Sequence, residues 1–573
     1  MNFKLTILAA CMSSVLIGCG GGGGSATPAA TLTGTAASGA PIVGTVTIKD
    51  SSSTPRTKTV TIAADGKYTV DVSDMTAPFM MRADGTVGGR SYSLYSAAAS
   101  SDINGTVNIT PLTDLIVANI AGQVASSIYT SGNFSSLTST ALSQAETKLQ
   151  QRLQPVLTAL GLDTAIDLLR ATFNANHTGL DAALDVLRVT VDPATAQATI
   201  KNIITNQQIT DDLANQSDTT QVDDVTGLAT GATDLQQLVA RFDAWSALFA
   251  SSLPSTTNVT LLALFDSTFK FDGESLSTVL SFLTTDPLFI GSKFTNITLD
   301  ALTTTTADVS FSVLYSGKAE PLKFKLIKAG GSWKMAGNQR IAMAETDTFA
   351  RKDHTGAITT GLWLEINDAG LAGIDYAIVT GKGLPTTTGG ADGTSAGALL
   401  VNAISNNSFK LARPGASYAG ASTSFITNGH NQLPLSDAAI GSIGNNETYT
   451  VTLWDDPNAT PGNLTDDVLR GTYTNVLGKR PYLSTELSAA SFPTITTTAA
   501  QIGSFAATGG NLTVNWTLPS GLTSVDVHFW RNGTSAQDST DAAAITATAT
   551  SATLTIAAPA FAVTYSGINL STY

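Results

Sequence analysis

The placement of cysteine constrains this chain more than any other feature. Its 573 residues contain two cysteines, Cys11 and Cys19, and both lie within the first twenty positions. The rest of the chain has no thiol for a disulfide, a thiolate nucleophile, an iron–sulfur cluster or C-x-x-C-H haem attachment. Every folded segment after residue 19 must therefore be stable without covalent cross-links.

The composition supplies enough apolar surface for such packing. Apolar residues make up 43% of the chain and charged residues 13%, about half of the usual ~25%. The length predicts about three to five domains. The formal net charge of −14 argues against binding to the phosphates of nucleic acids, so we expect no nucleic-acid partner.

The N-terminus has the organisation of an export signal. Lys4 and the α-amine precede a mostly apolar run over Leu5–Leu16. That run fits the ~7–15 residues of a secretory signal and is too short for the ~20 residues of a membrane span. No later stretch is long and apolar enough to cross a bilayer.

The apolar run ends in L-I-G-C, at positions 16–19, which resembles the lipobox of bacterial lipoproteins. The resemblance implies signal cleavage between Gly18 and Cys19 and a diacylglycerol anchor on the Cys19 thiol. Gly20, in place of an aspartate, implies sorting to the outer membrane. The Gly-rich residues 19–30 predict a flexible tether. A secretory signal with an incidental cysteine is the alternative.

Beyond the tether, the hydrophobic periodicity predicts a multidomain, β-rich α+β chain. The predicted order is a β-sandwich, a mainly helical domain, an α+β domain and two further β-sandwiches. Family resemblances in the last three segments imply that the α+β domain is cone-like and that the two sandwiches are immunoglobulin-like. The predicted boundaries are 31–109, 110–216, 231–350, 351–484 and 485–573.

The first two segments differ in the spacing at which their hydrophobic residues recur. The stretch S-G-A-P-I-V-G-T-V-T-I-K-D, followed by D-G-K-Y-T-V-D-V, resembles carboxypeptidase regulatory-like β-sandwiches, which implies a structural module without catalytic residues. From residue 110 a period of 3.6 predicts helices over 142–153, 165–173 and 180–187. A hairpin turned at Asp192-Pro193 follows.

The 231–350 segment combines a helical aromatic stripe, a short helix over Leu276–Leu283 and alternating strands that end in G-G-S-W-K-M-A-G. This order resembles the nuclear transport factor-like cone fold, whose members often enclose a pocket. The resemblance implies candidate pocket-lining residues, which are Phe242, Trp245, Phe269 and Trp333. Aromatic residues at helical spacing are also typical of a core, and we expect a non-catalytic copy of the fold.

The chain from Thr359 onward is predicted to be all-β. The stretch L-T-V-N-W-T-L-P at 512–519 resembles fibronectin type III and immunoglobulin-like domains, which implies that Trp516 is a core residue.

One serine stands in a hydrolase-like motif. Residues 393–397, G-T-S-A-G, match the G-x-S-x-G nucleophile elbow around Ser395. The elbow requires a buried strand before the serine and a helix after it, whereas the preceding residues predict a loop. We therefore expect a loop between strands.

Histidine provides no recognised metal motif. The spacing of the four histidines matches neither H-x-x-x-H nor H-E-x-x-H, although spacing alone leaves a zinc or Ser-His-Asp site open. We expect His528 to be a solvent or interface residue. The four histidines are His177, His354, His430 and His528.

Two aspartate pairs flank the loop D-D-P-N-A-T-P-G-N-L-T-D-D. Carboxylate oxygens on a loop suit calcium, which takes ~6–8 oxygen ligands, but the spacing is not that of an EF-hand. A solvated acidic loop is the favoured interpretation and a structural calcium the alternative; no other cofactor is expected. The candidate ligands are Asp455, Asp456, Asp466 and Asp467.

These patterns favour a lipid-anchored outer-membrane protein that acts as a non-catalytic binding, adhesion or scaffold module. The membrane is its expected partner through the lipid, and the protein or glycan ligand is unspecified. Two alternatives stay open: a secreted hydrolase or pocket enzyme that uses the 231–350 cavity or the Ser395 loop, and an accessory subunit of a surface complex. The body faces either the periplasm or the cell surface.

Overall fold

Strands dominate the fold. The computed structural model is 38% strand and 21% helix, which confirms a β-rich, multi-sheet chain. The described residues are 29–215, 218–315, 318–368, 373–402, 409–426, 431–520, 522, 524–534, 536–542, 545–546 and 548–572. Gly18, Cys19, His430 and most of the predicted tether lie outside them.

The chain divides into two compact units. Within the described residues, the N-terminal unit runs to Ser312 and includes Pro321–Ile341. The C-terminal unit combines Val313–Glu320 with the chain from Ala342 onward. No helix among the described residues has both the length and the hydrophobicity that a bilayer crossing requires.

The N-terminal unit begins with six strands. They are β1 (Thr31–Thr35), β2 (Val43–Lys49), β3 (Thr57–Thr61), β4 (Lys67–Asp71), β5 (Phe79–Val87) and β6 (Arg90–Ala98). An antiparallel sheet has the order β3-β2-β5-β6, and β1 pairs with β4. The other edge of β1 is hydrogen-bonded to residues 105–109, where the N–H of Thr33 donates to Gly105 O at 3.1 Å. The inward side chains of these six strands form one hydrophobic core.

A helical region and a three-stranded sheet follow. Their elements are α1 (Pro111–Ala121), α2 (Ser126–Ser131), α3 (Ser139–Ala159), α4 (Leu180–Val186), β7 (Leu187–Asp192), β8 (Gln197–Asn202) and β9 (Gln208–Asp212). Helix α1 starts at a capping box in which Thr110 and Thr113 bond each other's backbone N–H. Pro111 stands at its first position, and Gly122 ends the helix in the left-handed conformation.

The helix predicted over 165–173 is wrong, because these residues form turns. The carboxylate of Glu146 accepts the N–H groups of Leu168 at 2.6 Å and Leu169 at 3.2 Å, and Asp167 accepts that of Arg170 at 2.6 Å. Side chains thus take the N–H groups that a helix would pair with its own carbonyls.

The next segment combines a long helix with a two-stranded and a four-stranded sheet, and its residues Val313–Glu320 belong to the C-terminal unit. The elements here are α5 (Leu228–Phe249), α6 (Val259–Leu262), β10 (Lys270–Phe271), β11 (Glu274–Ser275), α7 (Leu276–Leu283), β12 (Lys293–Leu302), β13 (Thr306–Tyr315), β14 (Lys318–Ala329) and β15 (Ser332–Gly337). The sheet has the order β12-β13-β14-β15. The buried stripe of α5 includes Leu238 and Phe242.

The first part of the C-terminal unit contains two sheets, in the orders β16-β17-β21 and β20-β19-β18-β22-β23. The elements are β16 (Met343–Lys352), β17 (Ile358–Asn367), β18 (Tyr376–Thr380), β19 (Ala398–Asn402), β20 (Phe409–Leu411), β21 (Gln432–Pro434), α8 (Asp437–Gly441), β22 (Glu447–Asp455) and β23 (Val468–Leu477).

The second part contains two three-stranded sheets, β24-β25-β28 and β27-β26-β29. Its elements are β24 (Thr494–Ile495), α9 (Ala499–Thr508), β25 (Gly510–Thr517), β26 (Ser524–Asn532), β27 (Gln537–Asp541), β28 (Ser551–Ile556) and β29 (Tyr565–Thr572). The all-β prediction after Thr359 is wrong at α8 and α9. A capping box between Thr498 and Gln501 starts α9, whose sequence is rich in alanine.

Candidate functional site

Three ionisable side chains meet at the start of α4. His177, Asp181 and Asp185 are spaced four residues apart, and the helix places both aspartates on one face. His177 precedes the helix with a left-handed backbone, φ 64°, a conformation in which histidine is enriched relative to most residues. The three residues are 9%, 0% and 0% exposed, so the cluster is almost withdrawn from solvent.

The distances within the cluster are short. His177 Nδ1 lies 3.1 Å from Oδ1 and 3.2 Å from Oδ2 of Asp185. The backbone N–H of His177 donates to Asp181 Oδ2 at 2.7 Å, while Asp181 Oδ1 is buried without a hydrogen-bond partner. One candidate ligand atom from each side chain lies within 4.8 Å of the others. Among the described residues, these three side chains form the one group of three or more His, Cys, Asp or Glu whose ligand atoms lie close enough together to hold a metal ion.

Burial and mutual charge set the electrostatics of the cluster. Burial, reinforced by the charge of Asp185, raises the pKa of Asp181 to about 7. Burial also raises the pKa of Asp185, against the opposing effect of His177. Burial lowers the pKa of His177, but the hydrogen bond and charge of Asp185 outweigh it and the net direction is upward. Burial therefore makes the ionised form of both aspartates less stable than it would be in water.

The first sheet region of the same unit closes over the cluster. Gly39, at φ 72°, lies so near that a Cβ on it would stand 2.8 Å from Asp185 Oδ1. The chain that leads to His177 is fixed at Phe173, whose carbonyl accepts the Thr35 hydroxyl at 3.1 Å and the Lys67 ammonium at 2.5 Å. The site is thus built from both the helical and the strand regions.

Ser395 lies in an exposed loop, and the element after it is strand β19. Its hydroxyl donates to Asp392 Oδ2 at 2.6 Å, and the N–H groups of Thr394 and Ser395 donate to Oδ1 at 2.8 and 2.7 Å. These hydrogen bonds, that of the Ser395 hydroxyl foremost, hold the pKa of Asp392 far below its usual range. The serine therefore stabilises a turn around an ionised aspartate, without the strand–serine–helix order of a nucleophile elbow.

The four predicted calcium-loop aspartates lie near one another at the ends of β22 and β23. Burial, followed by the charges of Asp456 and Asp466, raises the pKa of Asp467. The N–H of Asp456 donates to Asp375 Oδ2 at 2.8 Å, which brings a fifth carboxylate to the loop.

Each of these aspartates has a protein partner on at least one oxygen, while Asp466 Oδ1 and Asp467 Oδ1 are buried without a hydrogen-bond partner. Tyr376 donates its hydroxyl to Asp467 at 2.6 Å, and Arg470 forms an ion pair with Asp455 at 2.7 Å. Asn458 donates to Asp466 at 2.7 Å. Asp456 is 5% exposed and the other three aspartates are partly exposed, and calcium binding at this loop stays a prediction.

The four predicted pocket-lining aromatics are all buried. Trp245 packs at 4.4 Å between ring centroids on Phe294, Phe242 at 4.6 Å on Phe311, and Phe269 at 5.3 Å on Phe265. Trp333 lies in the same unit, where its indole N–H donates to Asp234 Oδ1 at 3.1 Å. The rings fill space against one another, as core residues do.

Comparison of the chain with protein-family models, curated proteins and solved structures gave no match. The interpretation of each site therefore depends on its own residues and geometry.

The histidine-pair motifs of metal sites do not reveal the His177 cluster, although the sequence carries a signal for it. The pattern here is H-x-x-x-D-x-x-x-D, with one histidine and two aspartates at i, i+4 and i+8. That spacing places the two aspartates on one helical face. His528, by contrast, is half-buried on β26 and lies 2.5 Å from Asp541, without a third ligand from the described residues.

Proposed function

We propose that this chain is a lipid-anchored protein of the outer membrane whose β-rich body binds a partner without catalysing a reaction. The sequence L-I-G-C at 16–19, directly before a run of glycines, carries the proposal. Two acyl chains on one cysteine suffice for stable attachment, whereas a single chain binds a membrane only marginally.

The geometry of the candidate catalytic groups supports a binding role. The Ser395 hydroxyl is engaged with a carboxylate in a turn, where a nucleophile would need a general base. The aromatic residues of the 231–350 segment contact one another inside the N-terminal unit. The Ser395 hydroxyl and the aromatic rings thus each make contacts of the kind that structural residues make.

We also propose the finer domain identities. The sheet β3-β2-β5-β6 and the β1–β4 pair support a carboxypeptidase regulatory-like sandwich, and α5 with the meander β12–β15 supports a cone-like domain. The two last sheets, with Trp516 buried between neighbours of one core cluster, support an immunoglobulin-like sandwich. Helix α9 departs from that pattern, because it lies between the first two strands.

The anchor is tested by metabolic labelling of the full chain with a fatty-acid analogue, followed by detergent phase partitioning. Wild type should carry the label and enter the detergent phase. Cys19→Ser should lose both properties, and Cys11→Ser, which changes the other cysteine, should keep both. An unlabelled wild type in the aqueous phase, or label lost in Cys11→Ser and kept in Cys19→Ser, would refute the lipid anchor.

A further inference from the structure

We propose that the side chains of His177, Asp181 and Asp185 bind one divalent transition-metal ion of the zinc class. This inference is independent of the proposed lipid anchor and of the proposed domain identities, because it concerns a cluster inside the N-terminal unit.

The donor set selects the class of metal. Calcium and magnesium prefer sites made of oxygen ligands alone. An imidazole nitrogen suits zinc, copper, iron and nickel, and zinc in particular combines histidine nitrogen with carboxylate oxygen at about 2.0–2.2 Å. One imidazole and two carboxylates therefore match a zinc-class ion better than an alkaline-earth ion.

The spacing also fits a single ion. Two ligands at about 2.1 Å from one metal, separated by an angle of 90–109°, are roughly 3.0–3.4 Å apart. His177 Nδ1 lies 3.1 and 3.2 Å from the two oxygens of Asp185. Ligands on opposite sides of such an ion are about 4.2 Å apart, and the three candidate ligand atoms all lie within 4.8 Å of one another. The cluster has nearly the size that one ion requires.

A buried oxygen without a hydrogen-bond partner is a second observation, separate from the spacing, that points to a ligand. Asp181 is 0% exposed, and its Oδ1 has no hydrogen-bond partner, although buried acceptors in native proteins are almost always paired. The neighbouring cation is not a partner of this oxygen, because Arg188 Nη1 donates to the carbonyl oxygens of Leu184 and Asp185 at 3.1 and 2.9 Å. A divalent ion would supply both the partner that Oδ1 lacks and the charge that two buried carboxylates require.

The closed surroundings indicate a structural ion. Catalytic zinc sites keep a position open to water or substrate, whereas structural sites are closed. Here Gly39 packs directly against Asp185, and both aspartates are fully buried. The ion would join the segment before α4 to α4 itself, beneath the Gly39 loop, and so stabilise the N-terminal unit without a disulfide.

The test uses the full chain without a polyhistidine tag. The metal content of the purified protein is measured by mass spectrometry, and the chain is then stripped with a chelator and titrated with zinc against a chromophoric competitor. We expect one zinc ion per chain and an unfolding midpoint that rises with free zinc. Loss of second-shell partners costs about 10–100-fold in metal affinity, so Asp181→Asn and Asp185→Asn should each cost at least about 100-fold.

Two variants separate metal binding from folding. Asp181→Asn keeps an acceptor for the His177 N–H and removes a buried charge, so its metal-free form should be at least as stable as metal-free wild type and should not respond to zinc. His528→Gln removes the half-buried histidine that pairs with Asp541 and should bind zinc like wild type. The proposal is wrong if wild type binds no zinc, if Asp181→Asn retains full affinity, if His528→Gln loses the ion, or if calcium replaces zinc at equal affinity.

Discussion

Trp333 offers the sharpest test of how the N-terminal unit is packed. The residue lies on β15 with 0% of its surface exposed, and its indole N–H donates to Asp234, which is 4% exposed. Lys328 also binds Asp234, at 2.6 Å, and stands 5.4 Å from the centroid of the Trp333 ring. The ring and the carboxylate are thus buried together, and the partly exposed side chain of Lys328 contacts both.

The expected loss of unfolding free energy on replacing Trp333 follows from these contacts. Replacing a buried tryptophan by alanine costs about 3–5 kcal/mol of unfolding free energy. The hydrogen bond to the carboxylate adds about 1.5 kcal/mol, the low end for a bond to a charged group, because Lys328 still pairs with Asp234. Trp333→Ala should therefore lose about 4.5–6.5 kcal/mol. Trp333→Phe, which keeps most of the ring, should lose about 1–2 kcal/mol.

The assay is urea unfolding of the full chain followed by far-ultraviolet circular dichroism, since fluorescence changes when a tryptophan is removed. The two units are expected to unfold in separable transitions, which are fitted individually. Trp530→Ala, in the C-terminal unit, is the control and should leave the N-terminal transition unchanged. A loss below about 1 kcal/mol in Trp333→Ala, with ligand binding abolished, would show that Trp333 lines a pocket instead of filling a core.

Three further predictions concern a cap, a carboxyl group and a serine. Thr110→Ala removes the acceptor of the Thr113 N–H at 3.2 Å and should cost about 1 kcal/mol in urea unfolding, while Thr110→Ser should cost little. Burial, with the charge of Asp167, raises the pKa of Glu146 to about 7 from an ordinary 4.5. The folded chain therefore holds a proton that the unfolded chain releases, and stability should fall by on the order of 2–3 kcal/mol as the pH rises from about 4.5 through 7. Glu146→Gln should reduce this pH dependence, leaving the part due to other buried carboxyl groups such as Asp181, and an equal slope in the variant would refute the assignment. A fluorophosphonate probe should leave the chain unlabelled; stoichiometric labelling that Ser395→Ala abolishes would establish a nucleophile.

Hydrophobic periodicity predicted those elements whose apolar residues recur at a regular, unbroken spacing. The apolar helix Leu276–Leu283 was predicted with the bounds that the structure has. Strand β12 was missed because Asn296, at φ 53°, interrupts its alternation. Helix α9 was missed because an alanine-rich helix has few large apolar residues to mark its face.

The sites were harder to predict than the elements. The sequence grouped Asp455 and Asp456 with Asp466 and Asp467, and the structure places them close together because β22 and β23 are antiparallel neighbours. Burial of the His177 cluster could not be predicted, because it depends on Gly39, more than 130 residues earlier in the chain. Local spacing can place two aspartates on one helical face, but long-range packing decides whether water reaches them.

The position of β1 has a mechanical consequence. Any tension that reaches the body through the residues before Thr31 acts first on this strand. Five residues of β1 pair with β4, and the opposite edge bonds to residues 105–109. A pull along the strand would load both rows of hydrogen bonds together in shear, instead of peeling them apart one at a time. The strand nearest the proposed anchor is therefore held against such a pull by hydrogen bonds on both of its edges.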